Sequence, residues 1–576
     1  MKKIFLLLIA CGLLSLTTFS QVGIGTTTPD GSAMLDVSAT NKGILIPRMT
    51  SAQRTAIVSP ARGVMVFDTD NGGFWFYTGT TWSQLATGNN SWSLTGNSGT
   101  NPATNFIGTT DLVPLRFRVN NLWAGEINPS NGNSLLGISA GNSSYTGTFN
   151  SSFGNFTLQN ITTGSYNAAF GTFALSHNTT GNNNTATGTG ALSNNSTANN
   201  NTAIGANSLF GNSTGFANVA AGAYSLTANT TGFDNTGIGY NALGTNTTGN
   251  FNTATGFGSL AINNSDNNTA NGYQALYSNT AGSDNTANGY HSLYNNSIGV
   301  ANTANGRESL NSNTNGSNNT ALGWRALFDN TSGGSNTGVG INSLAHNTSG
   351  GGNVGIGNAV LANNTTGNFN TAIGWDALSY LNGGSNNIAI GYNSGTDPGS
   401  PGVTNTISIG NDGFLNAASN QVFIGNFSTA YCGTHVSWST FSDARIKTNI
   451  KEEVKGLDFI MRLKPVTYHK SIKAMIALTG SKETKDYPGK YDVEKITFSG
   501  FLAQDVEKAA IASGYNFSGL HKPANSKDLY ALSYETFVVP LVKAMQEQQK
   551  IIDDQKNEIN EMKLRLKTIE DKLKLL

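Results

Sequence analysis

A glycine closes the pattern Asn-Thr-Ala-x-Gly every 17 residues through the middle of this chain, from Gly154, Gly171 and Gly188 to Gly357, Gly374 and Gly391, with a single step of 16 between Gly256 and Gly272. Fixed periodicity of this length marks supersecondary units stacked in one direction, each unable to bury its apolar side alone. Asn stands four residues before each of these fifteen glycines, from Asn150 and Asn167 to Asn370 and Asn387. Leu stands four residues after nearly every one, as in Leu175, Leu209, Leu327 and Leu378. A unit of 17 residues is too short for a pair of helices. It suits two short strands joined by turns, for which the Asn-Thr-Thr-Gly and Asn-Asn-Ser runs supply the residues. One unit is therefore one coil of a parallel β-solenoid over residues 135–395.

Stacked coils bring equivalent positions to about 4.8 Å, so the repeated Asn can form an amide ladder, each side chain donating to one neighbour and accepting from the other. Fifteen coils at that spacing span roughly 70 Å. Two residues before the glycine the side chain is small, as in Ala203, Ala321 and Gly338, which implies close approach of another backbone. The next position is looser, with Ile204, Ile238, Val339 and Ile373 but also Asn271, Asn288 and Asn305. Strand alternation puts the two positions on opposite faces. A disordered Gly/Asn-rich linker would account for the composition but not for in-register copies with apolar Leu and Ile. The many Asn-x-Thr sequons follow from the repeat itself.

This pattern is similar to the Asn-Ser-Val-Ala-Ile-Gly head repeat of trimeric autotransporter adhesins, although the period is longer here. The resemblance implies a left-handed β-roll with three chains side by side, the looser position pointing into the roll and the small one facing a neighbouring chain.

The two ends differ from the middle. Residues 1–20 read as a secretory signal: Lys2 and Lys3 precede an apolar run that ends at Phe19 and Ser20, so that Gln21 begins the exported chain. Leu8-Ile9-Ala10-Cys11 offers a second reading, a lipoprotein box with a lipid on Cys11. No later run is long and apolar enough to span a membrane. With the signal removed only Cys432 remains, so no disulfide can form within the chain. Residues 21–134 are aperiodic and β-rich, with runs such as Gly73-Phe74-Trp75-Phe76-Tyr77. Trp75, Tyr77 and Trp82 fit either a carbohydrate platform or a small β core. Gly23-Ile24-Gly25 and Ile44-Leu45-Ile46-Pro47 resemble the N-terminal segments of exported fibre-like proteins. Residues 396–441 form a β connector.

After Phe441 the composition changes to dense Lys, Glu and Asp, whereas between Gln21 and Phe441 the only glutamates are Glu126 and Glu308. The string Ser442-Asp443-Ala444-Arg445-Ile446-Lys447 opens this part. It is followed by Leu463-Lys464-Pro465-Val466-Thr467-Tyr468 and Phe498-Ser499-Gly500-Phe501-Leu502-Ala503-Gln504-Asp505. Together they resemble the intramolecular chaperone and self-cleaving domain of peptidase family S74, which closes phage tailspikes and fibrous surface proteins. The resemblance implies an α+β chaperone domain at 442–537 that templates a homotrimer and then cuts the chain at Ser442, beside Asp443. It also implies a serine/lysine dyad: a desolvated, neutral Lys447 takes the proton of Ser442, whose oxygen attacks a backbone carbonyl next to it. Without the rest of the domain, Ser442 would read as a cap and Lys447 as a solvated charge. Gln504 and Asp505 are assigned to the fold or an interface.

From Val538 a heptad pairs Val538, Met545, Ile552, Ile559, Leu566 and Leu573 with Leu541, Gln548, Gln555, Met562, Ile569 and Leu576, which specifies a coiled coil over 538–576. The expected molecule is mainly β, a 17-residue-repeat solenoid in a three-chain fibre, ending in an α+β chaperone and a coiled coil. The expected role is an exported or surface-bound fibre or adhesin that matures by one autoproteolytic turnover, with a cell-surface glycan or protein as receptor. Neutral net charge gives no reason to expect nucleic acid as a partner, and nothing calls for a metal or cofactor. Two other classes stay open: a glycan-degrading or glycan-binding tailspike, although the repeats lack an acidic pair, and an ice- or crystal-binding solenoid built on Thr/Asn rows.

Overall fold

The computed structural model describes residues 21–85, 92–412, 415–435, 438–480 and 487–576, so the signal segment and Cys11 lie outside it. The chain forms two compact units that divide between Thr110 and Asp111.

In the first unit Val22–Ile24 pairs in parallel with Leu35–Val37. A four-stranded sheet follows, in which Arg48–Met49 lies parallel to Met65–Asp68, and Gly73–Tyr77 and Trp82–Gln84 add antiparallel. Its buried anchor is Asp68, which accepts from Arg54 Nε at 2.9 Å, from Ser51 Oγ at 2.8 Å and from the backbone of Asp70 and Asn71. The Arg54 guanidinium in turn lies 3.7 Å over the ring of Trp75, and Tyr77 packs on Trp82 at 5.5 Å. These aromatics are half-buried, and a guanidinium already covers the Trp75 face that a sugar would need.

The second unit opens with a hairpin, Leu115–Val119 and Leu122–Asn128, turned by Asn120 and Asn121, both left-handed at φ 49° and 58°. Asn133–Leu136 continues the sheet antiparallel and then pairs in parallel with Ser151–Phe153, so the hairpin caps the first coil. Within the cap, buried Glu126 accepts from Arg116 and Asn128, both at 3.0 Å, and from the hydroxyl of Tyr145. Burial alone would raise the Glu126 carboxyl, but those donors hold it below the usual range, while burial and Glu126 push Tyr145 up to about 12.

From there to Val422–Ile424 each coil contributes one three-residue strand to a continuous parallel ladder. The register is one repeat, as in Thr286↔Thr303. This corrects the expectation of two strands per coil: the remainder of each unit is a chain of turns. The reason lies in the repeated Leu, which adopts the left-handed conformation in coil after coil, for example φ 49° at Leu293 and Leu310, and is fully buried. That conformation costs about 1–2 kcal/mol for a residue with a Cβ. Burying a leucine returns about 1.5–3 kcal/mol, so the strained turn is kept because it drives the side chain inside.

The interior is one leucine thick, and this reverses the facing expected from the adhesin-head resemblance. The small residues point inward and the looser position points out: Ala203, Ala287 and Ala321 are 0% exposed, whereas Ile204 is 49% exposed. Across the coil the leucine leaves room for a methyl group or less; a Cβ on Gly237 would come within 2.6 Å of Ser225 Oγ and 3.4 Å of Leu226.

The Asn ladder expected four residues before each glycine is present. Asn302 Nδ2 donates to Asn285 Oδ1 at 3.1 Å and to the Gly316 carbonyl at 2.9 Å, and the Asn302 backbone N–H donates to the same Asn285 oxygen at 3.0 Å. A second ladder, which the sequence reading treated as turn residues, runs seven positions after the glycine. There Asn296 Nδ2 donates to Asn279 Oδ1 at 2.8 Å and to Gly299 O at 3.0 Å. Both rows are buried, so along their length the amides pair with one another and with the backbone in place of water; the second row ends at Asn364, whose Oδ1 is left without a partner where Leu381 takes the next position. The closing glycines allow the coils to approach: at Gly289, φ 131°, a Cβ would lie 2.7 Å from Gly306 O.

The 16-residue coil keeps strand register, Thr253↔Thr269, by absorbing the loss in its turn. Asn264 Oδ1 accepts from Thr247 N and Thr248 N at 3.1 and 2.9 Å, where other coils present a threonine or serine carbonyl. At the far end Thr406 takes the ladder position and donates through Oγ to Asn387 Oδ1 at 2.7 Å, terminating the row.

The C-terminal region is helical with a few strands. Val466–Tyr468 pairs antiparallel with Phe498–Gly500, and Leu520–His521 with Ala531–Leu532. Phe459, Val506, Ala509, Ala510, Phe517 and Phe537 form its core, against the helix Ala503–Ala512. Asp505, in the first turn of that helix beside Gln504, accepts from Lys508 Nζ at 3.0 Å, a local contact within the fold. The loop before Ala531 reaches the last coils: Lys527 Nζ lies 3.3 Å from Asp397, and Asn525 Nδ2 donates to Ala417 O at 2.9 Å.

A single helix, Val538–Lys574, closes the chain. Pro540 stands in its first turn, where the missing N–H has no helical partner. Pro540 and Ala544 are buried, and Glu547 accepts from Leu457 N at 2.7 Å, so one face holds the helix to its domain. The heptad stripe lies on another face, about 120° round at 100° per residue, and is bare: Leu541, Met545, Ile559 and Leu566 are 44, 71, 46 and 60% exposed.

Two outcomes follow from these arrangements. Asn302→Ala strips two donors and an acceptor from a dry ladder and is expected to destabilise the coils around it by about 2–4 kcal/mol, read as faster amide exchange in neighbouring strands than in the terminal coils. The second concerns acid. Burial raises Asp68, but hydrogen bonds from Ser51, Asn71, Arg54 and Asp70 outweigh it and hold the carboxyl at about 2. A carboxylate lowered on folding stabilises above its unfolded value near 4 and loses that contribution as pH falls toward 2. Melting of the first unit is therefore expected to drop between pH 4 and 2, and Asp68→Asn to flatten that dependence at the cost of a lower melting temperature at pH 7.

Candidate functional site

The chain between Val422–Ile424 and Leu457–Ile460 forms no strand among its described residues; a single 3-10 turn, Ala444–Ile446, interrupts it. Its sequence explains the turn. Asp443, extended at φ −67°, ψ 131°, caps it by accepting from Arg445 N at 2.9 Å. The Arg445 guanidinium folds back onto the same carboxylate at 2.6 Å, so Arg445 holds Asp443 below the ordinary aspartate range and is itself raised by it.

The turn sets the geometry of the two residues on either side. Lys447 leaves it in an extended conformation, φ −102°, ψ 131°, after its N–H has closed on Ala444 O. Its side chain then returns along the turn, and Nζ donates to Ser442 Oγ at 2.7 Å. Asp443 is engaged by Arg445 through both carboxylate oxygens, while the Lys447 amine pairs with the serine. The structure thus brings Ser442 and Lys447 together across five positions and places Asp443 as the cap between them. His469 is engaged elsewhere, its Nδ1 3.0 Å from Glu494 O.

A serine oxygen at hydrogen-bond distance from a lysine nitrogen is the arrangement of a nucleophile and its base, provided the amine is neutral when it accepts the proton. In the single chain the pair is solvent-exposed, and so are large apolar residues on both sides of it. Tyr431, Trp438, Phe441, Ile446 and Ile450 are 86, 77, 93, 67 and 73% exposed. Apolar exposure on this scale marks an interaction surface. Among the described residues no group of three or more His, Cys, Asp or Glu side chains is placed to hold a metal. Among the same residues, no helix is long and apolar enough to cross a membrane.

Comparison with known proteins bears on both ends of the chain. Residues 23–101 match the family model of the phage tail-like trimerisation region, an assignment the sequence reading of the first unit did not make. No curated protein matches the chain. Residues 442–515 match the family model described as the chaperone of endosialidase, peptidase S74, and that match begins at the serine of the pair.

Proposed function

We propose that this chain is an exported, homotrimeric fibre or adhesin-like protein whose C-terminal domain templates assembly and then releases itself by autoproteolysis at Ser442. The two family matches support a trimeric, tail-fibre-like protein with a C-terminal chaperone, and an extracellular or phage-associated setting. The observation that carries the cleavage step is the 2.7 Å contact from Lys447 to Ser442 at the first residue of the chaperone match.

The chemistry needs one change from the exposed state. Burial disfavours the ammonium form of a lysine, so packing of other chains over Tyr431, Trp438, Phe441, Ile446 and Ile450 would free the Lys447 lone pair. Neutral Lys447 then takes the Ser442 hydroxyl proton as Oγ attacks the carbonyl carbon of a flanking peptide bond. Transfer of that proton to the leaving backbone nitrogen breaks the C–N bond and leaves an ester on Oγ. Water hydrolyses the ester, restoring the serine and yielding one new carboxylate and one new amine. Because the substrate is the chain itself, each molecule turns over once, and only after assembly has buried the Lys447 amine.

The bare stripe of Val538–Lys574 supports the templating step. Three such helices joined through their heptad residues form a coiled coil that sets the register of three chains, and that lowers the loop-closure cost of starting a long non-local solenoid. A glycan hydrolase is disfavoured by the state of the only two glutamates in the exported part before the chaperone. Glu126 is buried among Arg116, Asn128 and Tyr145, and Glu308 sits 3.0 Å from Arg307 and 3.8 Å from Arg325.

Intact mass of the chain expressed without its first 20 residues tests the proposal. The expected result is two fragments in the wild type whose masses sum to the chain plus one water, meeting on one side of Ser442, and one uncut chain in both Ser442→Ala and Lys447→Ala. A wild type that is trimeric yet uncut would reduce the domain to a permanent clamp and end the peptidase assignment.

A further inference from the structure

One face of the solenoid carries a largely apolar strip that its own coil does not cover, interrupted by Asn305 and Arg307 in one coil and by Asn358 in another. The strip has two columns, the residue after each closing glycine and the residue before it. In the first column Tyr240, Phe257, Tyr273 and Tyr290 stack on one another at 5.3, 5.2 and 5.4 Å, with planes within 11° of parallel, and each is 44–50% exposed. Trp324 and Trp375 extend the column, at 47 and 59% exposed. Where these coils have Asn271, Asn288 and Asn305 in the second column, the first is aromatic or Arg307; beyond them the second column turns apolar, with Leu322, Ile356, Ile373 and Ile390 at 37–41% exposed. The strip runs from Tyr240 to Tyr392, roughly 45 Å at about 4.8 Å per coil.

We propose that this strip is the seam along which three copies of the chain pack at a common axis, each strip against the same strip of the other two. The inference rests on the trimeric reading, and it assigns the opposite face from the one that the adhesin-head resemblance implies. Three observations favour a second copy as the occupant. First, a trimerisation match precedes the solenoid and the bare helical stripe follows it, so the coils between must run alongside their copies. Second, the strip is close to neutral. Its one charged side chain, Arg307, lies 5.5 Å over Tyr290 and 3.0 Å from the Glu308 carboxylate, so like charges do not oppose one another when the strip meets itself. Third, no other outward row is apolar over comparable length. The row that holds Phe149, Tyr166, Phe251 and Phe369 is broken by Asn183, Asn267 and other polar residues, so there is no complementary surface for a head-to-tail contact. A closed arrangement about a common axis buries every strip, and the trimeric reading makes that axis three-fold. Along Tyr240, Phe257, Tyr273 and Tyr290 a polysaccharide would meet ring edges, because these stacked rings cover one another's faces.

Cysteine cross-linking of the full exported chain tests the seam, in a Cys432→Ser background that removes the one exposed native thiol. Ile356→Cys, with Ile373→Cys one coil on as an independent second position, is expected to give a disulfide-linked dimer on mild oxidation. At most about two thirds of the chains can link, since a trimer with one cysteine per chain leaves one thiol over. Ser332→Cys, exposed in a turn away from the strip, is expected to stay unlinked. A chain that sediments as a trimer while both strip positions remain unlinked overturns the seam and leaves the trimer standing. A chain that sediments as a monomer overturns both.

Discussion

Everything in the solenoid depends on amides that have no water to fall back on. Most coils offer their neighbour two buried asparagines, and inside the rows these give away both protons and receive at the oxygen, as Asn302 and Asn296 do. A buried amide that loses a partner costs about 1–3 kcal/mol, more than a satisfied one contributes. The ladders therefore act less as glue than as a register lock: a coil slipped by one residue would strand a whole row of donors. The same rows fix the period, because only a spacing that returns an asparagine to the same place keeps the row intact. The strain of left-handed leucines and the bare contacts between glycines are tolerated inside this lock.

Much of this was legible in the sequence, because a repeat states its own constraints many times over. The parallel stacking, the ladder through Asn150 to Asn387 and the buried leucines follow from period and composition. What misled was direction. Ala203 and Ile204 alternate, and alternation says that they face opposite ways without saying which way is in. The answer came from volume, since a leucine already fills the coil and only a methyl fits beside it. The second ladder was hidden for a related reason: Asn in an Asn-Thr-Thr-Gly run is also what an ordinary turn uses, and only the three-residue reach from Asn296 to Gly299 shows that it does both. The count of strands failed because a leucine at positive φ is invisible to any propensity.

The pair at Ser442 and Lys447 was readable as a resemblance, and its contact is local enough for one chain to form it, through the Asp443 cap and its partner Arg445. The surroundings were not readable in the same way. Five large apolar side chains around the pair stand in water, and the stripe of the final helix does too. Both are exposed apolar surfaces, and no pattern within one sequence says what covers them. The final helix illustrates the division: Pro540, Ala544 and Glu547 tie it to its own domain, and the heptad a third of a turn away stays exposed.

The short coil between Gly256 and Gly272 has a consequence for how such a fibre changes over generations. One residue is missing, yet the strand keeps its partner because the side chain of Asn264 reaches to where a carbonyl stands in the other coils. Errors of copying within the turn are thus repaired by a nearby side chain, and errors that add or delete a whole unit leave every ladder continuous. Reach is then an inherited quantity that can be lengthened or trimmed in steps of about 4.8 Å, with the cap at one end and the chaperone at the other unaltered.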